Sequence, residues 1–349
     1  MSLLEPGARV SDAVVVDRPL GQGAFAEVYR VRHEYLGWQA LKLFKRVGSL
    51  GETRAMLDEA RLLSTIGHPN IVRLFDAGTV RTGHGTRGFF TMEYVAGGSL
   101  ERLVDSYRGI VPADIAVGVA EQLANGLAVA HAQNPPIIHR DLTLANVLVG
   151  YDAGGLRVRI SDFGLARRAD PVSLLASAQG TYAFMAPEVV REDGYSRAGD
   201  VWSIGTIAYL LLTNSLPYAA KTEAGLRSTR RFEETPLPPS AYNDEVDAEL
   251  DDIIMSTLEP EPSLRPRDAG ALARRFHDRQ TKSVRVATPP TPAPSDRAQR
   301  LAAEALELAR RPETLAEAAD RMEEAVTRSP RLRDQHMAKL LLWRRGVMM

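Results

Sequence analysis

Two glycines between apolar segments could bring the backbone close to a phosphate group. Gly21 and Gly23 stand in the segment GQGAFAEV, which runs from position 21 to position 28. Glycine has no Cβ, so its backbone N–H groups can approach phosphate oxygens closely. Two glycines more often form only a turn, and this segment alone leaves both interpretations open. A dinucleotide-binding fold needs a helix after such a loop, whereas here the pattern continues as a strand.

A lysine on an apolar strand is the second candidate for phosphate chemistry. Lys42 follows Ala40 and Leu41 in a segment that is otherwise apolar. A buried ammonium group needs a charged partner. Glu59, on a helical stretch predicted over residues 53–65, is the natural candidate. For either residue taken alone, a solvated surface position is the simpler interpretation.

Four short motifs with acidic and amide side chains follow in a fixed order. They are HRDLTLAN at 139–146, DFG at 162–164, APE at 186–188 and DVWS at 200–203. Each short motif arises easily by chance, and DFG alone could be a turn. The ordered set at these separations is specific.

With this set, residues 10–280 resemble a eukaryotic-type (Hanks-type) serine/threonine protein kinase of the soluble kind also found in bacteria. The resemblance implies a two-lobed α+β fold, with a β-rich N-lobe over about residues 10–95 and a helical C-lobe over about 96–280. It also implies transfer of the ATP γ-phosphoryl group to Ser/Thr hydroxyls of a protein substrate, with autophosphorylation.

The resemblance assigns roles to individual positions. Asp141 would orient the attacking hydroxyl and accept its proton. Lys42, held by Glu59, would pair with the α- and β-phosphates of ATP. Asn146 and Asp162 would hold Mg²⁺, because hard cations prefer oxygen ligands. The other ATP contacts that it implies are Gly21, Gln22, Gly23, Ala24, Phe25, Val28, Ala40, Met92 as gatekeeper, Glu93 and Val95 in the hinge, and Leu148.

Supporting positions follow from the same resemblance. Asp200 would anchor the backbone of the catalytic loop, and Glu188 would pair with Arg265. A regulatory column would stack Leu63, Leu74, His139 and Phe163.

The sequence departs from the family pattern at Thr143, where serine/threonine kinases usually place a lysine that neutralises the γ-phosphate. Losing such a contact would cost about 2–4 kcal/mol at the transition state. This change leaves a nucleotide-binding pseudokinase scaffold and a small-molecule phosphotransferase as alternatives. The segment GTYAFMAPE at 180–188 favours the serine/threonine kinase. Ala26 also replaces the third glycine of the loop, a position where replacement matters least.

Arg140 indicates a phosphate switch, because kinases with arginine before the catalytic aspartate are commonly activated by a phosphate in the activation segment. A phosphate there can bind arginine side chains through charge-assisted hydrogen bonds. Ser173 and Ser177 are the predicted acceptors. Thr181 is the poorer candidate, since it matches the residue that forms the floor for the substrate.

The elements that must position these residues follow from periodicity. Strands are predicted at residues 14–16, 27–31, 39–44, 72–77 and 89–94, with a hairpin turn over 83–88. Helices are predicted at 113–131, 200–212, 246–257 and 268–279.

Residues 281–296 are rich in Pro and Thr and are predicted to form a linker. The tail, 297–349, is predicted to contain helices at 297–310, 313–328 and 331–345. We expect it to bury little by itself, to form a small helical hairpin or a degenerate tetratricopeptide-like pair, and to bind a protein partner.

Composition narrows the class of protein further. The 349 residues carry a formal net charge of -1 and no cysteine. Absent cysteine excludes disulfides and zinc–thiolate sites. The near-zero charge predicts no nucleic-acid or membrane partner. No signal peptide is visible, so we expect a cytoplasmic protein.

Overall fold

The computed structural model describes two compact units of the chain. The described residues are 2–23, 26–45, 66–107, 109–152, 155–163, 182–220, 222–285, 296–344 and 346–347. By Cα proximity, one unit contains Met1–Gly150 and Val158–His277, and the other contains Tyr151–Arg157 and Asp278–Met349.

The first unit opens with a six-stranded antiparallel sheet of strand order β1-β2-β3-β4-β6-β5. Side chains alternate between the two faces of β3 and β4, so that Tyr29 and Leu41 line one face while Val28 and Ala40 line the other. The strands are β1 (Arg9–Ser11), β2 (Val14–Gln22), β3 (Ala26–His33), β4 (Gly37–Phe44), β5 (Leu74–Thr82) and β6 (Gly85–Glu93).

The five predicted strands are present. Three of them, β2, β3 and β4, extend beyond the predicted ranges, while β5 starts two residues later than predicted and β6 ends one residue earlier. The hairpin turn is shorter than the predicted 83–88, because β5 and β6 pair as far as Thr82 and Gly85. Gly85 takes φ 101°, a left-handed conformation that glycine adopts without strain. The helix predicted at 53–65 lies outside the described residues.

The first unit begins before the predicted boundary at residue 10. Leu4 is buried at 6% exposure and packs with Val10, Val14 and Tyr29 on the outer face of the sheet. Burial of this apolar side chain explains why the N-terminal segment belongs to the lobe.

Helices dominate the rest of this unit, so the predicted α+β fold, with a β-rich N-terminal part and a helical C-terminal part, is confirmed. Helix α4 is buried nearly all round; Ser196 caps its start through the amide of Gly199, and Asn214 ends it in the left-handed conformation. Along the chain, the described helices and strands that follow the sheet are α1 (Leu100–Tyr107), α2 (Ala113–His131), β7 (Val147–Asp152), β8 (Gly155–Ile160), α3 (Pro187–Val190), α4 (Arg197–Thr213), α5 (Glu223–Arg227), α6 (Ala248–Thr257) and α7 (Ala269–Arg285). The parts of β7, β8 and α7 within Tyr151–Arg157 and after His277 are counted with the second unit.

Besides the end of α7, the described part of the second unit has the helices α8 (Asp296–Leu308), α9 (Leu315–Arg328) and α10 (Pro330–Trp343). Their buried residues form one hydrophobic cluster, which includes Leu301, Met322 and Trp343. The expectation that the tail buries little was wrong, because the third predicted helix is present as α10 and buries Leu332, Leu340 and Trp343 in the same cluster. The buried alanines on α8 and α9 let the helices approach closely.

The predicted linker starts too early, since α7 continues to Arg285. Residues 281–285 contain no glycine or proline that would end the helix. Of the linker, only residues 286–295 remain, and these lie outside the described residues.

In the part of the chain that the structure describes, no helix is both long enough and apolar enough to span a membrane.

Candidate active site

An apolar cluster lies on one face of the sheet of the first unit, where the resemblance implies the nucleotide cleft. Its buried centre consists of Ala40 on β4, Met92 on β6, and Val72, which precedes β5. Val28 and Leu148 are partly buried against them, together with Leu20, Leu74 and Tyr94. Four residues predicted to contact adenine, Val28, Ala40, Met92 and Leu148, are thus brought together.

The segment at the end of β6, which the resemblance assigns as the hinge, is held by contacts of Glu93 and Tyr94 with two arginines. Glu93 accepts a 2.8 Å salt bridge from Arg159 on β8. The Tyr94 ring lies 5.8 Å from the Arg30 guanidinium, which also stacks on Trp38 at 4.3 Å. The hydrogen bond to Asp17 raises the pKa of Arg30 above its ordinary value, so this cation stays charged.

Val95, the other predicted hinge residue, leads into a close approach of two backbones. A Cβ at Gly97 would come within 2.2 Å of the Val149 carbonyl oxygen, so this position requires glycine. The Val149 amide donates to the Gly98 carbonyl at 2.8 Å, which brings Leu148 to the cleft.

The glycine-rich turn joins β2 to β3. Gly21 and Gln22 end β2, and the Gly23 amide donates to the Ala26 carbonyl at 2.9 Å. Ala24 and Phe25 lie outside the described residues.

Glu27, beside this turn, is buried and accepts from the Leu3 amide at 2.9 Å and from the Tyr29 hydroxyl. Burial alone would raise the pKa of Glu27, but these hydrogen bonds outweigh it and lower the pKa. The N-terminal segment therefore helps to hold the strand that follows the glycines.

Lys42 contacts a residue of the predicted metal site. Its Nζ lies 2.7 Å from Oδ1 of Asp162, and the lysine side chain is 12% exposed. The predicted partner Glu59 lies outside the described residues. The sheet therefore places this lysine directly beside a predicted Mg²⁺ ligand.

The catalytic loop is anchored on Asp200, as predicted. Asp200 Oδ2 accepts from the His139 amide at 2.7 Å, and Oδ1 accepts from the Arg140 amide at 3.0 Å. His131 Nε2 lies 3.0 Å from Oδ2, while its Nδ1 accepts from the Ala269 amide. Since Nδ1 accepts, Nε2 carries the proton and donates to the carboxylate.

His139 connects the catalytic loop to the strand before Asp162. Its Nε2 donates to the Ser161 carbonyl at 2.9 Å, and its ring contacts Phe163 with centroids 4.8 Å apart. This contact is one of those expected in the predicted regulatory column. Leu74 packs against the apolar cluster of Ala40, Val72 and Met92, and Leu63 lies outside the described residues.

Two non-glycine residues of these loops have left-handed backbones, Arg140 at φ 69° and Asp162 at φ 60°. Such conformations cost about 1–3 kcal/mol each and persist where surrounding bonds fix them. The anchors on Asp200 and Ser161 provide that restraint.

The predicted Mg²⁺ ligands, Asn146 and Asp162, lie on adjacent backbone segments, because the Ser161 amide donates to the Asn146 carbonyl at 2.8 Å. Asn146 Nδ2 donates to the carbonyl of Asp141 at 2.7 Å and to its Oδ2 at 3.3 Å. The amide nitrogen is thereby used, and the amide oxygen remains as an acceptor.

This oxygen set fits Mg²⁺, which takes one or two protein ligands and completes its shell with phosphate oxygens and water. The described residues contain no cluster of three or more His, Asp or Glu side chains suited to a metal.

A small cavity of about 20 Å³ lies beside Asp141. One wall comes from the catalytic loop, with Arg140, Asp141 and Thr143, and the other from the segment Phe184 to Ala186. Thr143 is 7% exposed, so the hydroxyl side chain occupies an enclosed position near the catalytic aspartate.

The predicted Glu188–Arg265 pair is confirmed. Arg265 donates to both oxygens of Glu188, at 2.9 and 2.8 Å, and its side chain is fully buried. This bidentate pair fixes the end of the segment that walls the cavity.

The predicted regulatory residues are only partly described. Arg140 lies 6.0 Å from the ring of Tyr195, while Ser173, Ser177 and Thr181 lie outside the described residues. Their regulatory role stays a prediction.

Sequence reasoning missed Arg159, Arg30 and His131. Arg159 and Arg30 stand at alternating positions of short strands, where exposure to solvent is the ordinary interpretation. His131 closes an apolar helix, and a histidine at a helix end carries no signal for its distant partner Asp200.

The chain belongs to the protein kinase domain family, whose sequence pattern matches residues 14–277. The fold, the catalytic loop and the cleft described above agree with this membership.

Curated relatives include human mitogen-activated protein kinase kinase kinase 10, 34% identical over 74% of this chain, and the Arabidopsis thaliana serine/threonine-protein kinase ATG1a, 32% identical over 74%. The matches span 27% and 40% of those two proteins.

The kinase domain of Mycobacterium tuberculosis PknI is a similar solved structure. It is 24% identical, with a TM-score of 0.59, and the match covers 79% of this chain and 99% of that one. At this identity the similarity shows the fold.

Proposed function

We propose that this chain is a serine/threonine protein kinase that transfers the γ-phosphoryl group of ATP to a hydroxyl of a protein substrate. The arrangement that carries the proposal is the convergence of Lys42, Asp141, Asn146 and Asp162. Lys42 contacts Asp162 at 2.7 Å, and Asn146 bonds to Asp141. Family membership and the serine/threonine kinases among the relatives support the same activity.

Adenine would lie in the cleft between Val28 and Ala40 above and Leu148 below. Burial of these apolar side chains against a heterocycle supplies binding energy, while the hinge backbone after Met92 offers polar groups to the ring edge. The salt bridge from Arg159 to Glu93 restrains the position of that backbone.

Asn146 and Asp162 would hold Mg²⁺, which neutralises negative charge on the phosphates when bound. The ammonium of Lys42 reaches the same region and is suited to an α- or β-phosphate oxygen. Phosphoryl transfer depends mainly on position and on charge stabilisation, so these groups meet its main requirement.

Asp141 would orient the substrate hydroxyl and accept its proton. The carboxylate lines the cavity whose other wall is Phe184 to Ala186, so a peptide lying on that wall would present its hydroxyl to Asp141. The hydrogen bonds from Asn146 and the anchoring of the loop on Asp200 hold the carboxylate in place.

The helical tail has a hydrophobic cluster of its own and contributes none of the residues above. We propose that it binds a protein partner.

Transfer of ³²P from labelled ATP to myelin basic protein tests the activity, with hydrolysis of the product and separation of phosphoserine, phosphothreonine and phosphotyrosine. We expect Mg²⁺-dependent label on serine or threonine. Nucleotide binding without any transfer to protein would favour the pseudokinase instead, and label on tyrosine alone would contradict the residue preference.

A further inference from the structure

The segment that walls the cavity beside Asp141 is held from its other side by an arginine. Arg231 lies in a short 3₁₀ turn, Thr229–Phe232. Its Nη2 donates to the Tyr182 carbonyl at 2.7 Å and to the Met185 carbonyl at 3.3 Å. Its Nη1 donates to the Tyr218 carbonyl at 3.3 Å.

Within the described residues, no carboxylate forms an ion pair with Arg231. Burial lowers the pKa of Arg231 to about 10, which still leaves the group protonated at neutral pH. A cation that bonds only to neutral carbonyls gives each of them a charge-assisted hydrogen bond. Arg265, by contrast, is neutralised by Glu188 at the far end of the same segment.

The guanidinium of Arg231 stacks on the ring of Phe232, which packs against two further aromatic rings. Phe232 lies 4.4 Å from the guanidinium carbon, and it contacts Tyr218 and Trp202 with ring centroids 5.3 and 5.5 Å away. Trp202 belongs to the buried helix α4. These ring contacts connect Arg231 to the buried core of the lobe and fix the orientation of its guanidinium group.

The carbonyls that Arg231 holds belong to residues on both sides of Phe184. Phe184 and Met185 line the cavity with Asp141. A shift of this backbone would move one wall of the cavity relative to the catalytic aspartate. Arginine suits the task because its planar fork reaches several carbonyls at once, whereas lysine presents a point charge.

We propose that Arg231 is a positioning residue for the protein substrate, because it fixes the backbone over residues 182–185 against which the substrate lies beside Asp141. This inference rests on the proposed kinase function. It concerns substrate placement and not nucleotide binding, since the cleft residues Val28, Ala40 and Leu148 lie on other elements.

The test compares Arg231→Gln and Arg231→Lys with Arg230→Gln as a matched control. Arg230 lies in the same turn, but its side chain is exposed. The measurements are KM for myelin basic protein, KM for ATP, and hydrolysis of ATP without protein. Misplacement of a reacting group can cost about a hundredfold, so we expect the substrate KM or the transfer rate to worsen about tenfold or more in Arg231→Gln.

In the same variant, KM for ATP and hydrolysis without protein should stay near wild type. Arg231→Lys keeps the charge but reaches fewer carbonyls, so its effect should be intermediate, and Arg230→Gln should behave as wild type. Hydrogen exchange should rise over residues 182–186 in Arg231→Gln. If Arg231→Gln unfolds at the assay temperature, Arg231→Lys tests the proposal instead, by comparing its KM for myelin basic protein with its KM for ATP.

Equal losses for ATP and for protein, no loss in either Arg231 variant, or an equal effect of Arg230→Gln would overturn the proposal. A wild-type chain that transfers no phosphate would instead refute the proposed function itself. The two failures are therefore distinguishable.

Discussion

Replacing Asp200 with asparagine should loosen the catalytic loop, because asparagine offers one acceptor oxygen where the carboxylate offers two. Oδ2 accepts from the His139 amide and His131 Nε2, and Oδ1 accepts from the Arg140 amide. In either orientation, the new NH₂ group faces a buried N–H donor. His131 cannot adapt, since its Nδ1 already accepts from Ala269.

The cost follows from these contacts. One N–H donor left unpaired costs about 1–3 kcal/mol. The two remaining hydrogen bonds to residue 200 each weaken by roughly 1 kcal/mol, because the acceptor is no longer charged. The sum is about 3–5 kcal/mol, which lowers the midpoint of thermal unfolding by roughly 6–20 °C for a large domain. Because His139 and Arg140 precede Asp141, a shift of about 1 Å in the loop should also slow transfer about a hundredfold.

Urea unfolding and phosphate transfer at a temperature where both proteins are folded measure the two effects. Asp268→Asn is the matched control, because Asp268 Oδ1 accepts from the Ala271 amide and an asparagine can still accept there. We expect the control to lose less than about 0.5 kcal/mol. A loss below about 1 kcal/mol in Asp200→Asn, with an unchanged rate, would refute the reasoning.

Two further predictions concern charge near the nucleotide. Thr143→Lys should raise turnover, by up to the factor that corresponds to about 2–4 kcal/mol, if the missing cation limits the rate; a lower or unchanged rate, measured at saturating ATP, would show that the loop does not need this charge. Arg159→Gln should raise KM for ATP up to about fivefold, because it frees Glu93 in the hinge from a partly exposed ion pair. The control is Arg157→Gln. Arg157 lies on the same strand as Arg159 and pairs with Asp152 on β7, so its replacement should leave KM for ATP unchanged.

Much of the fold was predictable because its elements are local. The strands around Tyr29 and Leu41 show period-two alternation, and α2 shows an apolar helical period. The ends were less predictable. The helix continues from Thr281 to Arg285 because this stretch contains no glycine or proline. Leu4 packs on the outer face of the sheet, and the sequence does not reveal that this face is buried.

The site was predictable where a motif fixes both residue type and spacing. Asp141, Asn146 and Asp162 stand in such motifs, and the pairs of Asp200 and Glu188 followed from the same resemblance. Arg231 and Arg159 could not be predicted, because their partners are backbone carbonyls or residues far away in sequence. Only the fold brings Arg231 to the carbonyls of Tyr182 and Met185.

The central claim is that Asp141 acts on the substrate hydroxyl while other residues hold the nucleotide. The most direct test is single-turnover transfer from labelled Mg-ATP, measured beside nucleotide affinity, in wild type and Asp141→Asn. The account predicts that Asp141→Asn binds Mg-ATP nearly as tightly as wild type but loses transfer by about a hundredfold or more. Transfer at the wild-type rate in Asp141→Asn, with affinity intact, would contradict the assignment of this loop.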